Sequence, residues 1–214
     1  MQSTRFHLPT LAALALALAL PSVARAGDHA ASPATVVING HPIQPAGSKA
    51  YGPEIIKPED LRWCVANIDK INANGRSIQL DKARLQSEAD GIKAENAELT
   101  RIGNALKTEG EALAEKSQKI SQQRASVDKS KKASVDAYNA SLKSLREQNA
   151  AYQSRVQQYT ARGAKLKAQS DTYKQHQSAY NSATDALNQS AAGFSQRCSN
   201  KNYYADDMAA AKKK

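Results

Sequence analysis

Few residues in this chain are of a type that does chemistry, and their spacing narrows the choice further. Cys64 and Cys198 stand far apart, with no C-x-x-C pair and no histidine cluster beside either. Sulfur chemistry here therefore means one structural disulfide, not a redox or metal centre. Of the four histidines, His7, His29 and His41 fall in the N-terminal quarter; His176 alone lies in the body of the chain, as a surface residue. No glycine-rich phosphate loop, zinc-ligand spacing or serine–histidine–acid grouping occurs. These absences predict no catalytic, cofactor-binding or metal-binding residues, and a protein that is not an enzyme. What remains is positive charge. Lys129, Lys131 and Lys132 form one cluster, and Arg155, Arg162, Lys165 and Lys167 a second. Such groups favour anionic partners.

The elements that carry these side chains are legible from a repeat. Large apolar residues recur every seven positions at Ile71, Ile78, Leu85, Ile92, Leu99, Leu106, Leu113, Ile120 and Val127. A second row holds Tyr138, Leu145, Tyr152, Tyr159, Leu166, Tyr173, Tyr180, Leu187 and Phe194. Unbroken heptads of this length predict coiled coil.

The two rows also fit each other. If the chain folds back at Lys131, facing residues have numbers that sum to 262, and every d position meets an a position. Gly103 then faces Tyr159, Gly110 faces Tyr152, Gly75 faces Leu187 and Leu99 faces Gly163. Most layers pair a large residue with a small one, as close packing between helices requires. The same fold brings Cys64 opposite Cys198, so an intramolecular disulfide is expected. Lys82 and Arg124 fall opposite Tyr180 and Tyr138, where each cation could lie over a ring. Gly91 and Gly193 have no place in the seam. Residues 128–134 form the predicted turn although they contain neither glycine nor proline, and Asp128 or Ser130 is the expected N-cap of the second helix.

Four segments follow. Residues 1–26 have the pattern of a secretory signal: Arg5, an apolar run from Leu11 to Leu20, then Ala24-Arg25-Ala26 before the cut. The apolar run is short for a membrane span, and no cysteine at the cut offers a lipid anchor. Cleavage would lower the net charge from +10 to +8 through loss of Arg5 and Arg25. Residues 27–57 read as a flexible leader rich in proline and glycine, with a short β-hairpin signal where Thr35 to Ile38 precede Asn39-Gly40. Residues 58–198 are the antiparallel hairpin, opened by Pro58, Glu59 and Asp60 in a first helical turn. Trp63 is expected to cover its base with Phe194, Tyr203 or Tyr204. Residues 199–214 read as a loose tail.

The fold class predicted is all-α: a long antiparallel two-helix coiled-coil hairpin with a flexible N-terminal leader. In outline it resembles periplasmic coiled-coil hairpins, namely holdase chaperones with basic helical arms, efflux-pump adaptors and activators of cell-wall hydrolases. The β-rich, barrel, lipoyl or peptidase-like bodies of those families have no counterpart in the pattern here, so no functional residue carries over. The expected role is that of an exported, periplasmic or secreted protein of the cell envelope, acting as a structural element, scaffold or adaptor. Its expected partners are an envelope protein or an anionic cell-wall or lipid surface, and not nucleic acid. A holdase for unfolded clients and a regulator of an envelope enzyme are the alternatives. Polar layers at Asn96, Asn149, Ser170 and Gln177 leave a modest core, to which a further copy could add.

Overall fold

Heptads on both halves of the chain leave each helix with one apolar stripe, and each stripe needs a partner. In the computed structural model, which describes residues 35–213, they find each other. Helix α1 runs Pro58–Gln123 and helix α2 runs Lys132–Cys198, antiparallel and packed along their lengths. At 1.5 Å per residue each is about 100 Å long. A two-residue strand β1, Pro42–Ile43, precedes α1. A matching strand β2, Tyr203–Tyr204, and a short helix α3, Ala205–Lys212, follow α2. No described helix is long and apolar enough to cross a membrane.

The repeat is the core. On α1 all eight d residues from Ile71 to Ile120 are buried, and on α2 so are Leu145, Leu166, Tyr173, Tyr180, Leu187 and Phe194. Gly75, Gly110 and Gly163 are buried in the seam between them. The apolar residues gather in two clusters, one from the base to Leu99 and Leu166, the other near the tip around Leu113, Ile120 and Leu145. The base is closed by the Cys64–Cys198 disulfide, with Cα atoms 6.0 Å apart and both residues fully buried.

The ends of the helices show how a turn forms without glycine. Pro58 opens α1 behind Lys57, with Glu59 and Asp60 in the first turn. After Gln123 the chain tightens into one 3₁₀ turn, Arg124–Ser126. Asp128 then ties the turn together ahead of α2. Its carboxylate accepts from the Ser130 N–H at 3.0 Å and the Ser130 hydroxyl at 2.6 Å, and its own N–H donates to the Ser134 hydroxyl at 3.1 Å. The N-cap of α2 is Lys131, without a side-chain cap, in place of the expected Asp128 or Ser130. Hydrogen bonds to the charged form hold the Asp128 carboxyl below the usual carboxylate range, those from Ser130 contributing most.

Three local expectations are corrected. Residues 35–43 form no hairpin of their own: β1 pairs in parallel with β2, Pro42 beside Tyr203 and Ile43 beside Tyr204, and Ile55 bridges to Asn202. Residues 199–213 are not a loose tail, because β2 and α3 are packed at the base. The cation–ring contacts are Arg197 over Trp63 at 4.9 Å and Lys49 over Tyr204 at 5.4 Å. Lys82 and Arg124 are exposed instead, since a thin two-helix core lets a long side chain reach water. The signal-type segment 1–26 lies outside the described residues.

Candidate functional site

The seven basic residues singled out by the sequence separate into two groups once the helices are in place. At the tip, Lys131 and Lys132 reach only local acids, Asp128 at 3.3 Å and Asp136 at 2.6 Å, and their side chains are 76% and 89% exposed. Lys129 is exposed beside them. From Lys116 to Asp136 six basic residues accompany two acidic ones. The tip is thus a small positive surface about 100 Å from the disulfide.

Along the flank the arginines are engaged differently. Arg162 on α2 makes a two-pronged ion pair with Glu95 on α1, both bonds 2.9 Å. Arg155 pairs with Glu109, also across the hairpin. Paired forks of this kind fix geometry as well as charge. The Arg162 hydrogen bonds hold the Glu95 carboxyl below its ordinary range. Lys167 pairs within its own helix with Asp171 at 2.8 Å, and Lys165 lines an open groove beside Gly91, Ile92 and Glu95. His176 sets its Nδ1 3.0 Å from both Glu88 oxygens. Arg155 and Arg162 therefore join the two helices, and the flank offers partners less free charge than the sequence suggests.

The surplus still has a direction. Helix α1 carries ten basic and eleven acidic residues, whereas α2 carries nine basic and four acidic. One side of the rod is nearly neutral and the other is positive.

The base holds an arrangement that the sequence reading missed. The Asn72 side chain accepts from the Val36 N–H at 2.9 Å and donates to the Val36 carbonyl at 3.1 Å. Asn39 and Asn200 exchange two bonds of 2.7 Å, with Asn200 in the left-handed region at φ 57° that asparagine tolerates. Lys49 reaches Asp206 at 2.5 Å and Asp207 at 2.6 Å, and the Tyr51 hydroxyl donates to Asp207 at 2.8 Å. The signal available in the sequence was the cluster of asparagines at 39, 72, 200 and 202, flanking both ends of the hairpin.

Comparison with protein-family models, curated proteins and solved structures finds no match to this chain. Among the described residues, no group of histidine, cysteine, aspartate and glutamate is placed to hold a metal ion. The surfaces with distinct chemistry are the lysine tip, the positive side of α2 and the asparagine-lined base.

Proposed function

We propose that this chain is an exported protein of the cell envelope that acts as a rod-shaped scaffold or adaptor, without catalytic activity, and docks a partner at its lysine-bearing tip. The partner is an anionic cell-wall or lipid surface, or an acidic envelope protein. One observation carries this reading: the two ends of the rod differ, a base closed by a disulfide standing opposite an exposed tip whose cations meet only local acids. A buried disulfide suits an oxidising compartment, and the signal-type pattern of residues 1–26 agrees. Exposed charge contacts weaken with salt, so binding should fall as ionic strength rises.

The test is retention of the intact, oxidised protein on anionic vesicles and on envelope extract. Replacing Lys129, Lys131 and Lys132 together by glutamate should lower retention at least tenfold and leave thermal unfolding nearly unchanged. Equal retention by the two proteins would remove the tip as the docking surface. The positive side of α2 supports a second reading, a holdase-type chaperone for acidic unfolded clients. Failure to suppress aggregation of unfolded outer-membrane proteins at equimolar ratio would eliminate it.

A further inference from the structure

Residues 35–43 are held as a bound peptide is held. They run extended along the base, with Val36 buried in the core cluster, Val37 51% exposed and Ile38 turned back toward the core. That alternation is the one a strand's pleat gives, although only Pro42–Ile43 pair as a strand. Most of the bonds use main-chain groups. Asn72 satisfies both polar groups of Val36, as a neighbouring strand would. The His41 N–H donates to the Asn202 side chain at 3.1 Å, and the His41 carbonyl accepts from the Tyr203 N–H at 3.2 Å.

Beside the Asn39–Asn200 side-chain pair, sequence enters at two points. Val36 fills an apolar seat, and Gly40 lies so close to the Lys201 carbonyl that a Cβ would stand 1.6 Å from its oxygen. Only glycine allows that approach without moving backbone. The receiving residues all belong to the hairpin or to the segment after it. None belongs to the leader.

The connection between this segment and the rest of the chain is slight. Gln44–Ser48 is exposed throughout and contains Pro45 and Gly47. Beyond it Lys49 is anchored separately to Asp206 and Asp207. Opening five residues would free 35–43 while 49–57 stays in place.

We infer that the base is an acceptor site for an extended segment, and that a second copy of this chain can supply it: two hairpins exchange residues 35–43. Recognition through main-chain bonds at a sheet edge does not require a covalent link between the parts. Exchange of an identical element builds a closed two-fold dimer with no new interface chemistry. Asn72 of each copy then pairs with the other copy's Val36. Docking within one chain competes at an effective concentration of order millimolar, which sets the concentration at which exchange becomes populated. The second copy is the fitting occupant because its leader carries the buried valine, the asparagine that meets Asn200 and the obligatory glycine in the required register.

The test uses full-length, oxidised chains. Gly40→Val ejects the leader and leaves the acceptor intact, whereas Asn72→Leu with Asn202→Leu damages the acceptor and leaves the leader intact. Each variant alone should sediment as a monomer, and an equimolar mixture should form a heterodimer. A labelled peptide of residues 35–43 should bind the Gly40→Val chain at least tenfold more tightly than the unaltered chain, whose acceptor is filled. If Gly40→Val fails to fold, Val36→Ser serves as the weakened donor. A heterodimer together with peptide binding supports the exchange. Monomers in the mixture, or equal peptide binding by both chains, would overturn it.

Discussion

The Tyr159 ring lies across Gly103, its hydroxyl oxygen 3.1 Å from where a Cβ on residue 103 would stand. That oxygen is the far end of a flexible side chain and can give way by a few tenths of an ångström. Gly103→Ala is therefore expected to be neutral or mildly stabilising, because alanine is better in a helix by about 1 kcal/mol. Gly103→Leu would displace the ring itself and cost about 1–3 kcal/mol. Urea unfolding of the oxidised protein separates the two; a leucine variant as stable as the original would contradict the layer.

Gly91 and Gly193 are the contrast. Nothing lies within 4 Å of a Cβ placed at either. Alanine at each should raise stability by about 1 kcal/mol, and the two gains should add because the sites share no partner. A loss at either position, read from the shift in urea midpoint, would reveal a contact that the fold does not contain.

Removing the Cys64–Cys198 bridge by substituting both residues with alanine frees a loop spanning 134 residues. The chain-entropy model gives a loss of about 5 kcal/mol for a loop this long. The damage should be graded along the rod. Amide exchange at Val36, whose N–H is held by Asn72, should accelerate far more than at Leu145, which is buried near the tip. Uniform acceleration would mean that the hairpin unfolds as one unit.

The charged knot of Lys49, Tyr51, Asp206 and Asp207 predicts a pH response at α3. Hydrogen bonding to Lys49 lowers the Asp206 pKa. Its contribution to stability is therefore present above the ordinary carboxylate value of about 3.9 and is lost as pH falls through the lowered one. The Asp206 and Asp207 bonds raise Lys49, and desolvation followed by the Asp207 bond raises Tyr51. Their contributions are present below the ordinary values of about 10 and are lost as pH rises through the raised ones. Protection of the α3 amides, meaning exchange relative to the intrinsic rate at each pH, should be highest on a plateau between and fall on both sides. Exchange that follows only the intrinsic pH dependence from acid to neutral would count against the knot.

The seam could be read from the sequence because its information is repeated. Each large residue opposite a small one restates the same fold about Lys131, and Cys64 opposite Cys198 states it once more. Asn39-Gly40 carries no such redundancy. The dipeptide suits a tight turn and equally suits a backbone that must press against another, and only the position of Lys201 decides between them. Arg155 and Arg162 appear as surplus charge along the chain because Glu109 and Glu95 lie on the opposite helix. The strand at Tyr203–Tyr204 is too short for any periodicity. Its order depends on segments at the other end of the chain.

The disulfide also determines how the protein bears tension. A pull between Thr35 and Lys213 passes through Cys64 and Cys198 and bypasses α2 and all of α1 beyond its first turns. The 134-residue stretch it bridges then carries no load. Its contour, on the order of 450 Å at about 3.4 Å per residue, stays hidden until the bond is reduced. As a tether, the protein is short and stiff when oxidised, and only after reduction can load unzip the seam and lengthen it.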